Sequence, residues 1–101
     1  MELLQIPAGV TVVAEGERAG DFYVLLEGEA RVDRDGETVG ELGPGDFFGE
    51  IALVARTRRT ASVTTTEPSK LVALEEPEFR DLLARDRTFS ARVWAAAEAR
   101  L

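Results

Sequence analysis

Two nearby runs hold the residues best suited to chemistry: Phe47-Phe48-Gly49-Glu50-Ile51-Ala52-Leu53 and Arg58-Arg59-Thr60-Ala61-Ser62-Val63. Glycine at position 49 lets backbone approach a ligand closely. If residues 50–53 form one helical turn, the free N–H groups of that turn point at whatever anion lies at its start. A carboxylate at Glu50 can accept two hydroxyl hydrogen bonds, as from a ribose, and Arg59 can neutralise a phosphate through a charge-assisted pair. No acid occurs between Ile51 and Thr66, while Arg56, Arg58 and Arg59 crowd together, so a small anion meets its most favourable local field there. Taken singly, each residue has a plainer account: Gly49 as a turn, Glu50 as a helix cap, the arginines as a solvated loop. In combination they describe a place for a sugar and a phosphate.

The rest of the inventory narrows the chemistry. Histidine and cysteine are both absent, which removes imidazole bases, thiolate nucleophiles and every zinc site built on those ligands. The acids do not follow the spacing of a calcium-binding loop, and residues 40–49 match neither a dinucleotide fingerprint nor a P-loop. No metal site and no enzymatic activity are therefore expected. The net charge is −7, which disfavours nucleic acid as a partner. Residues 1–55 carry most of the acid excess, whereas residues 56–101 are slightly basic. No apolar run approaches the roughly 20 residues of a membrane span, and the N-terminus lacks the pattern of a signal peptide, so the expected location is cytoplasmic.

These candidate groups need a scaffold, and the chain reads as short strands followed by helices. With 101 residues, 45% of them hydrophobic, one domain over 1–101 is expected. Strands are predicted at Val10–Val13, Phe22–Glu27, Glu29–Arg34, Ala61–Thr66 and Leu71–Leu74 from alternation and glycine-rich punctuation. Asp35-Gly36 supplies the two residues that a type I′ hairpin turn demands. Evenly spaced strands of this kind suggest a sandwich or jelly roll, over about residues 6–75. Pro77 and the acids at 78 and 81 then mark the start of a helix ending near Asp86, with Phe79, Leu82 and Leu83 on one face. A second helix follows, with Thr88 as N-cap and Phe89, Val93 and Ala97 along one stripe.

The run Phe48–Val63, FGEIALVARTRRTASV, resembles the phosphate-binding cassette of cyclic nucleotide-binding domains, the family that includes the catabolite activator protein, kinase regulatory subunits and cyclic-nucleotide-gated channels. The resemblance extends to GERAGDFYVLLEGEARV at 16–32 and GPGDFFGE at 43–50. It implies a mainly β fold, a β-roll of the double-stranded β-helix or jelly-roll type, with a short cassette helix and two C-terminal α-helices. It also implies a small-molecule ligand, cAMP or cGMP, with no further cofactor. Gly49 and Glu50 match the family's glycine and glutamate, the glutamate holding the ribose 2′-hydroxyl. The backbone amides of Ile51 and Ala52 would contact the cyclic phosphate, and Arg59 would pair with it. Thr60 resembles the threonine of cGMP-responsive kinases and of the channels, where its hydroxyl reaches a phosphate or a syn guanine. Arg58 stands where the family often has proline, without touching an implied ligand contact.

Two departures stand out. The family usually has a helical segment before its first strand, whereas only six residues precede Pro7, as expected of a domain cut from a longer protein or of one without that segment. The family also uses its last helix as a lid over the purine. Trp94 is the aromatic there that could stack on a base, the alternative being a place in the core. The leading expectation is a regulatory module whose lid helix passes the signal to an effector outside this sequence. The alternative is an interaction or structural β-roll that no longer binds nucleotide.

Overall fold

The structure, a computed structural model, describes residues 1–100. Eight strands form in chain order: β1 (Glu2–Ile6), β2 (Thr11–Val13), β3 (Phe22–Glu27), β4 (Ala30–Arg34), β5 (Glu37–Leu42), β6 (Phe47–Phe48), β7 (Ser62–Thr65) and β8 (Ser69–Leu74). A short helix α1 (Glu50–Val54) interrupts them, and α2 (Glu76–Arg85) and α3 (Arg87–Arg100) follow. The strands make two four-stranded antiparallel sheets, ordered β1-β8-β3-β6 and β2-β7-β4-β5. This is the expected β-roll with a cassette helix and two C-terminal helices. No helix among the described residues is long and apolar enough to cross a membrane.

Local chemistry accounts for most of the turns. At the β4–β5 hairpin Asp35 has φ 53° and Gly36 φ 80°, between the paired residues Arg34 and Glu37, which is the geometry of a type I′ turn. The first strand was not marked by its own pattern. Leu3 is largely exposed, and β1 exists because it pairs along β8 from Glu2↔Ala73 to Ile6↔Ser69. Its extended state is set by the neighbouring strand rather than by local alternation.

Two apolar clusters hold the elements together. Val13, Leu25, Ala30, Leu42, Phe48, Val63 and Leu71 fill the inside of the roll, drawn from both sheets. The other cluster packs Phe22 and Leu74 against Leu53, Phe79 and Val93, seating all three helices on the ends of β3 and β8. Phe22 is its centre, with ring centroids 4.7 Å from Phe79, 5.4 Å from Phe47 and 5.6 Å from Phe89. Helix α2 opens with a capping box between Glu75 and Glu78 and a proline in its first turn. The start of α3 differs from the sequence expectation. The cap is Asp86, whose carboxylate accepts the Phe89 N–H at 3.0 Å, and not Thr88, which already lies inside the helix. A carboxylate three residues before Phe89 caps the helix and complements its N-terminal charge, so Asp86 prevails over the hydroxyl.

The β3–β4 connection turns at Gly28, with φ 98°, against the corner that leads into β8. A Cβ there would stand 2.2 Å from Ser69 Oγ, 2.7 Å from the Pro68 carbonyl oxygen and 2.8 Å from Ser69 Cα. Gly28→Ala is therefore expected to destabilise the fold by about 2 to 4 kcal/mol, combining backbone strain with overpacking. Urea unfolding checks this. A loss of under about 0.5 kcal/mol, the range of an ordinary surface change, would show that the corner yields freely.

Candidate functional site

A cavity of about 390 Å³ opens between the second sheet, α1 and the end of α3. Its lining includes Gly49, Glu50, Ile51, Ala52, Arg59 and Thr60. All six cassette residues singled out in the sequence thus meet at one place. Gly49 ends β6 and begins α1 in the left-handed region, with φ 95°. A Cβ on it would come to 3.0 Å from both Arg59 Nη1 and the Asp21 carbonyl oxygen, so both space and backbone conformation require glycine. The amides of the first turn of α1 have no acceptor within the helix. Ile51 and Ala52 of that turn line the cavity, and the unpaired amides give this end of α1 a partial positive charge.

Arg59 is the electrostatic centre. It precedes β7 and is only 7% exposed. Its Nη1 donates to the Gly49 carbonyl at 3.1 Å and its Nη2 to the Asp21 carbonyl at 2.8 Å. Its own N–H donates to the Glu17 carbonyl at 2.8 Å, fixing the backbone. A guanidinium has five N–H donors, so three remain for a ligand. None of the described carboxylates comes within 4.0 Å of it. Burial therefore pushes its pKa down from the usual arginine range, against the opposing influence of Tyr23, Asp21, Glu17 and Glu50. A buried cation held only by neutral carbonyls favours an anion that can enter beside it.

Glu50 is the deepest carboxylate, 1% exposed. In this structure it accepts a hydrogen bond from Arg100 Nη1 at 2.5 Å, and the same Nη1 donates to the Phe47 carbonyl at 2.9 Å. The Arg100 guanidinium also lies over the Phe47 ring, 5.5 Å from its centroid. Arg34, at the end of β4, donates from Nε to the Thr60 carbonyl at 3.2 Å and from Nη2 to the Arg100 carbonyl at 3.0 Å. The end of α3 is thus tied to the cavity twice, once through its side chain and once through its backbone. Behind the cavity, Arg80 of α2 donates to the Leu53 carbonyl at 2.9 Å and holds the far end of α1. Arg34 and Arg100 were missed in the sequence. The tertiary fold alone brings them to the cassette, and an arginine on a predicted helix or hairpin gives no local sign of this.

Trp94 is not brought to the cavity. It is 50% exposed, and it is absent from both the lining and the buried clusters. Val93 and Ala97, one helical turn apart, take the inward face of α3, and Trp94 lies about 100° further round. The α3 residues that do reach the cavity are Ala99 and Arg100. Arg58 turns away and donates to the Gly16 carbonyl at 3.2 Å. Among the described residues, no group of three or more acids is arranged to hold a metal ion.

The cyclic nucleotide-binding domain family matches residues 3–86. Two curated proteins from two strains of Mycobacterium tuberculosis, both described as uncharacterized, are 39% identical to this chain over 98 residues, 97% of it. The match covers 19% of each of those proteins, so the chain spans about a fifth of their length. Among solved structures, the catabolite activator protein of Thermus thermophilus superposes with a TM-score of 0.82 and 30% identity, over 98% of this chain and 48% of that one. A structure described as cAMP-bound PfPKA-R, residues 141–441, gives a TM-score of 0.84 at 24% identity, over 97% of this chain and 35% of that one. The latter likeness concerns the fold.

The Arg100–Glu50 pair generates a test that needs no ligand. Glu50→Gln, Arg100→Gln and the double variant, compared by urea unfolding, are expected to show a coupling energy of about 1 to 2 kcal/mol, because Arg100→Gln leaves the buried Glu50 carboxylate short of its charge-assisted bond whereas Glu50→Gln leaves only a part-exposed arginine. Single effects that add to within about 0.5 kcal/mol would show that the two side chains do not depend on each other.

Proposed function

The chain belongs to the cyclic nucleotide-binding domain family, and on that premise we propose that it binds cAMP or cGMP in the cavity beside α1 and serves as a regulatory module. The observation that carries this reading is the buried guanidinium of Arg59, which has no carboxylate partner among the described residues, next to the first turn of α1. A cyclic phosphate bears one negative charge and exposes two oxygens. Arg59 meets it with a charge-assisted pair, and the Ile51 and Ala52 amides complete the cradle. The ribose hydroxyl is then placed at Glu50, whose carboxylate is an acceptor only. Thr60 supplies a hydroxyl on the same rim. The base lies along the apolar wall formed by Val32, Gly40, Ala61 and Ala99.

Regulation follows from the end of α3. Arg100 holds Glu50 in this structure, so a ribose hydroxyl that takes a place on that carboxylate changes what holds the helix. A ligand shifts a conformational equilibrium only through contacts that differ between its states, and this contact differs. The effector that reads α3 is proposed to lie outside this sequence. A second reading, a β-roll that no longer binds nucleotide, is favoured by that same pair, since a side chain already satisfies Glu50.

Calorimetric titration with cAMP and cGMP separates the readings. Binding is expected to be lost in Arg59→Glu, with a penalty of about 2 to 5 kcal/mol, since the change removes the counter-charge and sets a carboxylate beside the phosphate. Glu50→Ala is expected to lose about 1 to 3 kcal/mol. Affinity that survives Arg59→Glu would place the nucleotide elsewhere. Absence of heat and of any thermal shift with either nucleotide would favour the second reading.

A further inference from the structure

Once a phosphate is assigned to Arg59 and a ribose to Glu50, the cationic side chain of Arg34 on the cavity wall has a bracing role but no ligand contact assigned to it. Arg34 stands two residues after Val32 on β4 and lines the cavity with it. Its Nε and one Nη2 hydrogen are fixed on the carbonyls of Thr60 and Arg100, which hold the guanidinium plane and leave three N–H donors without a partner among the described residues. No described carboxylate comes within 4.0 Å of it. Val32 pairs across the sheet with Gly40 and Val63, so the wall beside Arg34 is apolar and, at Gly40, carries no side chain. That makes a flat slot suited to a ring, ending at a cation.

The other carboxylate on this wall does not compensate Arg34. Glu41 precedes the buried Leu42 on β5 and is itself exposed, so strand alternation turns its side chain to the outer surface. The slot therefore offers the Arg34 hydrogen-bond donors at its end, and Glu41 sets no carboxylate against them. Purines differ at the matching position. Guanine and hypoxanthine present two adjacent acceptors, O6 and N7, which a guanidinium fork satisfies together. Adenine replaces one of them with an N6 amino group, a donor that meets the arginine's donors like with like.

We propose that Arg34 is the base-reading residue of the site and makes it selective for a cyclic nucleotide carrying a 6-oxopurine, cGMP in place of cAMP. This rests on the nucleotide-binding reading above, and the test distinguishes failure of one from failure of the other. The probes are cGMP, cyclic inosine monophosphate and cAMP, titrated calorimetrically into the wild-type chain and Arg34→Leu. The inosine compound carries the 6-oxo group without the 2-amino group, so a contribution of Thr60 at the 2-position does not enter its comparison with cAMP. In the wild type both 6-oxopurines are expected to bind about tenfold more tightly than cAMP. In Arg34→Leu the three affinities are expected to converge to within about threefold, through weaker binding of the first two.

The wild-type comparison of inosine and adenine compounds needs no substitution, so it holds even if Arg34→Leu loosens α3. Equal or tighter binding of cAMP by the wild type overturns the proposal. So does an equal loss for all three nucleotides in Arg34→Leu, which would make Arg34 a phosphate contact or a structural brace. Failure of the wild type to bind any of the three overturns the nucleotide-binding reading itself, and the proposal with it.

Discussion

A positive charge that is buried without a negative partner among the described residues governs the design of this domain. Arg59 is taken out of water and satisfied only by the carbonyls of Gly49 and Asp21. Such a group is tolerated when its donors are engaged and its charge is offered to a space that an anion can enter. Much of the fold serves that placement. The β3 start supplies one carbonyl through Asp21, and the left-handed turn at Gly49 supplies the other and frees room for the guanidinium. The Glu17 carbonyl pins the arginine backbone before it enters β7.

The site is also where the helices are anchored. Helix α1 has five residues, too few to be stable alone. It persists because Leu53 is buried in the Phe22 cluster and because arginines from the other two helices engage its two ends, Arg80 at Leu53 and Arg100 at Glu50. Arg34 adds a backbone tie to the end of α3. A ligand that alters the Glu50 contact therefore acts on an element already connected to both terminal helices. Interfaces of this kind respond by exchanging one set of contacts for another rather than by gradual deformation.

Several of these features were legible in the sequence. The Asp35-Gly36 turn, the strand at Phe22–Glu27 and the helix beginning at Glu76 each carry strong local signals, in turn chemistry, apolar runs and capping. The cassette was legible because Gly49, Glu50 and Arg59 lie close in sequence, and the fold brings them to one cavity. What stayed hidden depends on distance along the chain. Strand β1 is extended because β8 pairs with it, and its own side chains alternate weakly. Arg34 and Arg100 are 66 residues apart and meet at the site only after the roll closes. Trp94 is the tryptophan of the last helix and is by type suited to stack on a base, but its helical phase points it outward while Val93 and Ala97 take the core.

The most direct test of this account is a crystal structure of the chain grown with saturating cGMP. The account predicts the cyclic phosphate within hydrogen-bond distance of the Arg59 guanidinium and of the Ile51 and Ala52 amides, with the ribose hydroxyl on Glu50 and the Arg100 contact changed. A nucleotide bound elsewhere, or a cavity without nucleotide and with Arg100 still on Glu50, would contradict it.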